Sequence, residues 1–206
     1  MSHAFYTLLA ALAVASCAPS PQSRNHAAAE AVLAGTPDFE NASTAERAAI
    51  RHVPSGMVCV LPSDGAFTFD VFPAAAVNPG AHCSSASGEV AASMVVTRFG
   101  PGTTLDSAFQ AGVMSLLGSA QPTPWPGAAS SADSASPEGL PHFRMVRLVV
   151  RVDGQERYLR VAMSEARGWY LQQVVAAPLA GADAAEAEAG AVWRDALPLF
   201  AAAGQD

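Results

Sequence analysis

Lysine is missing from this chain: all eleven basic residues are Arg, against 18 Asp and Glu, and only 14% of residues are charged. A net charge of −7 with no basic run leaves nothing to neutralise a phosphate backbone, so nucleic acid is excluded as a partner. With so much Ala in the chain, the Arg preference reads as GC-rich coding bias. No Gly-x-Ser-x-Gly elbow, phosphate-binding loop, dinucleotide fingerprint or His-Glu-x-x-His helix occurs. His26, His52, His82 and His142 each stand alone in sequence. A triad such as Ser84, His82 and Asp70 can be assembled only from separate pieces, as in any exported domain. No catalytic residue, cofactor or metal site is assigned. Long hydrophobic runs are also lacking. The mostly apolar stretch at residues 4–15 falls short of the roughly 20 residues that a spanning helix needs.

That stretch has the length of a signal h-region. It passes through Leu12-Ala13-Val14-Ala15-Ser16 into Cys17 and then at once into Ala18-Pro19-Ser20-Pro21. The pattern resembles the lipobox of bacterial lipoproteins. The resemblance implies removal of residues 1–16 and attachment of a diacylglyceryl group to Cys17. Each buried methylene contributes about 0.8 kcal/mol, so two or three acyl chains hold a domain on a bilayer. The expected location is the periplasm, with the membrane as partner through the lipid anchor. Ala18 stands where an inner-membrane retention residue such as Asp would follow the cysteine, so the resemblance favours the outer membrane. The alternative is an ordinary secretory signal cut after Ser16 or Ala18, which would release a soluble protein.

Residues 17–28, rich in Pro, Ser and Ala, read as the lipidated Cys and a flexible tether. Residues 29–206 suffice for one domain with a full core. Apart from Cys17 the chain has two cysteines, Cys59 and Cys83. In an exported chain an isolated pair is most simply a disulfide. A metal site with His82 or His52 is the alternative, but Cys-x-x-Cys spacing is absent and a closed zinc site needs four ligands.

Ala27 to Leu33 favours a helix that Gly35-Thr36-Pro37 stops. Ser43-Thr44-Ala45-Glu46 fits a capping box and predicts a second short helix to Ile50 or Arg51. Met57-Val58-Cys59-Val60-Leu61 and the alternating Phe67-Thr68-Phe69-Asp70-Val71 predict two strands paired in a hairpin through Asp64-Gly65. A longer strand at residues 90–99 follows. Gly100-Pro101-Gly102 breaks it, and Thr103 or Thr104 caps a helix with Asp106 in its first turn. Leu105, Ala108, Phe109, Val113, Leu116 and Leu117 give that helix one apolar stripe.

Residues 119–141, a Pro/Ala/Ser-rich stretch with no period, predict a long mobile loop. Its Trp125 is expected to tuck back over the sheet edge. Residues 143–152, 157–163 and 169–176 read as a meander of three strands with turns at Asp153-Gly154 and Arg167-Gly168. A terminal helix at 184–197 is expected to end at Pro198.

The predicted fold is α+β: a mostly antiparallel curved sheet of about six strands carrying a long amphipathic helix and a C-terminal helix, with short N-terminal helices. The run Val95-Val96-Thr97-Arg98-Phe99-Gly100-Pro101-Gly102-Thr103-Thr104-Leu105-Asp106, with the later Gly168-Trp169-Tyr170-Leu171, resembles the PsbP-like fold over roughly residues 53–203. That resemblance implies a binding or accessory role by analogy. A cystatin-like or other curved-sheet fold is the alternative.

The remaining candidate site is a strip of arginines. Arg147 and Arg151 share a strand face by parity, and Arg157 or Arg160 on a neighbouring strand extends it. Such a strip can grip a carboxylate, phosphate or anionic headgroup. The plainer reading is cross-strand pairing with Glu156, Glu165 or Asp153 on a solvated face. The functional expectation is an exported, lipid-anchored, noncatalytic binding or accessory module of the cell envelope, meeting a protein partner there. An envelope hydrolase with an unrecognised site is the alternative.

Overall fold

The strands β1 (Phe39–Asn41), β2 (Ala49–His52) and β3 (Val58–Val60) form a small antiparallel sheet in chain order. A second sheet takes β4 (Ala66–Phe72), β5 (Gly80–Ser87), β6 (Val90–Thr97), β7 (Thr123–Pro124), β8 (Phe143–Val152), β9 (Gln155–Ala166) and β10 (Trp169–Pro178). Its order is β4-β5-β6-β10-β9-β8-β7, antiparallel throughout. Among the described residues three α-helices complete the fold: α1 (Pro21–Leu33), α2 (Leu105–Leu117) and α3 (Ala182–Ala202). The computed structural model describes residues 19–73, 76–128 and 140–202. The predicted signal and Cys17 lie outside them.

Local chemistry places the main elements. Thr104 accepts the Ser107 N–H at 3.2 Å, and the Ser107 hydroxyl accepts the Thr104 N–H at 3.0 Å, closing a reciprocal cap on α2. Asp106 in the first turn meets Arg144 of β8 in a two-point contact. Phe109, Val113 and Leu117 then pack on Leu148, Val150, Leu159 and Val161, which face α2 by strand parity. The turns of the β8-β9-β10 meander hold Asp153 and Arg167 at φ 50° and 55°, each followed by a Gly at positive φ, as tight hairpins require.

The opposite face of the sheet carries α3 and the small sheet. Trp193, Leu197 and Phe200 of α3, Ile50 and Met57 of the small sheet, and Val96 and Leu171 of the large one form the main core. Each fully buried side chain of this size contributes about 1.5 to 3 kcal/mol relative to exposure. A disulfide joins Cys59 on β3 to Cys83 on β5, Cα to Cα 6.1 Å, so it links the two sheets. Arg167 adds a polar tie, donating to the carbonyls of Ser55 at 3.2 Å and of Phe200.

Several expectations are corrected. The stretch expected as a tether is helical from Pro21, with Ser20 as its N-cap accepting from the Ser23 N–H at 3.1 Å and Pro21 at the first helical position. This helix is docked, not free. Asn25 donates to the Thr44 and Ala45 carbonyls at 3.0 and 3.2 Å, Asn41 donates to the His26 carbonyl at 3.0 Å, and Ala29 is fully buried.

The capping-box segment is a strand connection instead of a helix. The Thr44 hydroxyl accepts from the N–H groups of Glu46 and Arg47, turning the chain into β2, where Ala49, Ile50 and His52 are buried. The strands before and after Asp64-Gly65 do not pair with each other. The first joins β2 and the second joins β5, each in its own sheet. Strand β5 has no counterpart among the predicted elements. Part of the expected mobile loop is also fixed, since Thr123 and Pro124 pair with Val149 and Leu148. Trp125 stacks edge-on against Tyr158 at 4.9 Å, as the anchoring reading expected. Finally, α3 continues through Pro198 to Ala202. Pro198 is exposed while Leu197 and Phe200 on either side are buried, so packing outweighs the lost backbone bond.

Candidate functional site

Glu186 of α3 decides the fate of the arginine strip. Arg147 and Arg160 are direct cross-strand partners on β8 and β9, and both reach this one carboxylate. Arg147 donates through Nε to Oε1 at 2.7 Å, while Oε2 accepts from the Tyr158 hydroxyl and lies 3.7 Å from Arg160 Nε. Arg160 and Glu186 are buried. Burial, then the hydrogen bond to Glu186, raises the Tyr158 pKa, so the phenol stays protonated. Arg151 pairs with its register partner Glu156 at 3.4 Å, and Arg157 donates to the Glu89 carbonyl. The strip proposed for anion binding is thus a covered structural cluster at Arg147 and Arg160 and a surface pair at Arg151. The plain pairing reading holds for Arg151. The sequence reading missed Glu186, because the partner comes from a helix that period and parity do not place over β8.

Of the residues weighed for chemistry, Asp70 and His82 are register partners across β4 and β5 without an assembled triad. Thr68 and Ser84 share a 2.8 Å hydroxyl contact across β4 and β5, and no hydrogen bond links Ser84, His82 and Asp70. His52 is buried against Phe39 and Trp169 and shares a 2.8 Å hydrogen bond with the Ser55 hydroxyl. Burial lowers its pKa, opposed by the nearby Asp38 charge, so the ring is held neutral. Among the described residues no three His, Cys, Asp or Glu side chains converge as a metal site.

A concavity of the described residues lies elsewhere. A cleft of about 980 Å³ opens on the α3 face of the large sheet. Its floor is Phe67 of β4, Met94 and Ala92 of β6, and Gln173 and Val175 of β10. One wall is α3, through Ala185, Ala189 and Val192; the other is the β3–β4 connection with Val60 and Leu61. Pro21, Arg24 and Asn25 of α1 reach its rim. The size suits a small-molecule site.

The floor has one feature that packing does not explain. Gln173 is 3% exposed, and its Nε2 donates to the Ala189 carbonyl at 3.2 Å. Its Oε1 has no hydrogen-bond partner among the described residues. A buried acceptor left unsatisfied costs on the order of 1 to 3 kcal/mol. The bond to Ala189 fixes which end of the amide is the free acceptor. Among the described residues no His lines the cleft, and its cysteine, Cys83, is held in the disulfide.

At the mouth stand Glu46, Asp64 and Glu188 with Arg24 and Arg47. Arg47 is tied to Asp195 at 3.0 Å, which leaves the rim acidic on balance. Gln173 was invisible to sequence reading because a Gln on an alternating strand reads as a solvent-facing residue.

No family model matches this chain, and no curated protein does. Among solved structures it is similar to the crystal structure of PA94, a protein of unknown function from Pseudomonas aeruginosa. The two share 15% identity over 77% of this chain and 92% of that one, with a TM-score of 0.27. A likeness at that score carries no argument. Among the described residues no helix is long and apolar enough to cross a membrane.

Proposed function

We propose that this protein is a noncatalytic binding module of the cell envelope, exported to the periplasm, held on the outer membrane by acylated Cys17, and using the cleft beside α3 as its binding surface. The observation that carries the binding reading is the cleft itself: an apolar floor, one buried acceptor, and neither an imidazole nor a free thiol among its lining. Nucleophilic catalysis needs a base within hydrogen-bond reach of the nucleophile. Of the cleft's serines, Ser87 and Ser63 donate to the exposed carboxylate of Asp64 at 3.0 and 3.5 Å, with no imidazole beside them, which favours binding over the hydrolase alternative.

The export reading is supported by the Cys59–Cys83 disulfide, since such bonds persist in oxidising compartments. The anchor reading is supported by the lipobox-like run Leu12-Ala13-Val14-Ala15-Ser16-Cys17, and it sets a short span between Cys17 and Pro21. Four residues reach at most about 14 Å when extended, so acylation at Cys17 brings the rim of the cleft close to the bilayer. Growth with labelled palmitate, followed by membrane fractionation, tests it. The intact chain should label and sediment with membranes, and Cys17→Ser should do neither. Equal sedimentation of Cys17→Ser without label would overturn the anchor.

A further inference from the structure

We infer that two copies of this chain pair through β4, antiparallel about a two-fold axis at Phe69, and so join their large sheets into one. The inference is independent of the cleft and concerns a second surface.

The two edges of the large sheet are finished differently. At one edge β7 offers two residues, one of them Pro124, and a very short strand with a Pro is a common way to blunt a free edge. At the other edge β4 presents seven residues, and among the described residues it pairs with β5 alone. It has no Pro, no basic residue and no bulge, since Ala66 to Phe72 match Gly80 to Ala86 one for one. Val71 and Phe72 are each 37% exposed. The outer backbone groups of such a strand can extend the ladder by one more strand. Head-to-tail growth would need β4 to meet β7, which is too short, so the partner that fits β4 is its own copy.

Face and charge fix the register. Opposite residues of paired strands share a face, so a two-fold axis perpendicular to the sheet passes through a residue and not between two. An axis at Asp70 sets two carboxylates opposite each other, which is destabilising. An axis at Thr68 sets Val71 and Phe72 opposite Gly65 and Asp64, outside the strand. An axis at Phe69 uses all seven residues. Phe69 meets Phe69, Phe67 meets Val71, Ala66 meets Phe72, and the Thr68 hydroxyl meets the acceptor Asp70.

Sedimentation equilibrium on the disulfide-bonded protein carrying Cys17→Ser tests this. The mass should rise with concentration from one copy to two. Thr68→Asp places carboxylates opposite each other twice per dimer and should weaken pairing by about two- to thirtyfold; Thr68→Lys faces Asp70 with the opposite charge and should tighten it by a similar factor. Glu89→Gln makes the same change of net charge as Thr68→Lys at an exposed position away from β4, and should leave the dissociation constant unchanged.

A single-copy mass at every concentration would overturn the interface. Weakening by both Thr68 substitutions would overturn the register, and a dimer that responds to neither would overturn the assignment to β4. A mass rising past two copies would overturn the closed pairing. Should Thr68→Asp fail to fold, Thr68→Lys and the unmodified protein still decide the matter.

Discussion

Arg147 of β8 donates through Nε to Glu186 of α3 at 2.7 Å, joining the sheet to the C-terminal helix beside the apolar cluster of Val175, Ala177, Ala182, Ala185 and Ala189. Arg160 and Tyr158 meet the same carboxylate, so one side chain bridges polar groups of two strands. A buried ion pair of this kind gives little net stability compared with an apolar replacement, yet removing one member leaves charge stranded.

Glu186→Ala is therefore expected to destabilise the domain by about 3 to 5 kcal/mol, read as a lower urea midpoint. Arg151→Ala, which removes only the exposed pair with Glu156, should change stability by less than about 1 kcal/mol. Equal effects from the two substitutions would contradict the assignment of the strip to a covered cluster.

The Cys59–Cys83 bond closes a separation of 24 residues and connects two sheets that share no backbone pairing. Replacing both cysteines with Ala should cost about 3 to 4 kcal/mol in the chain-entropy account. A thermal melt with and without reductant checks this. The unmodified protein should lose stability on reduction, and the double variant should be insensitive to it.

His52 gives the fold a pH dependence with a fixed sign. Its pKa is lowered in the folded state by burial, while the unfolded chain titrates near 6.5. Above that value the ring is neutral in both states and stability is unaffected. As pH falls below it, the unfolded state takes up the proton more readily, so stability declines down to the folded pKa. Urea midpoints at pH 7.5 and 5.5 should differ, and His52→Phe should reduce the difference. An unchanged slope in the variant would show that other groups carry it.

Much of this architecture was legible in the sequence wherever local chemistry and tertiary structure agree. Thr104, Asp106 and the Phe109–Val113–Leu117 stripe mark α2, and Asp153-Gly154 and Arg167-Gly168 mark the meander, because caps and tight turns act over a few residues. Strand β5 escaped for the opposite reason. Its Gly80-Ala81-His82-Cys83-Ser84-Ser85-Ala86-Ser87 run has weak strand propensity and is held by pairing on both sides, with β4 and β6. Gly80 is required there, since an added Cβ would lie 1.9 Å from the Val96 carbonyl oxygen.

The capping-box motif misled because Thr44 caps a turn as readily as a helix. Helix α1 escaped because Ser20-Pro21, a sound helix start, sits among residues that also suit a tether. The candidate site was the least legible part. Gln173, Met94 and Val192 come from three separate elements, and only the fold shows that they line one cleft.

The most direct test of the account is whether that cleft holds a ligand. Titration with the neutral apolar dye Nile red should give saturable, blue-shifted emission at one dye per chain. Ala92→Phe places a ring on the cleft floor and should weaken binding by about tenfold or more in protein whose urea transition shows it to be folded. Dye binding unchanged in Ala92→Phe, or no saturable binding by the unmodified protein, would contradict it.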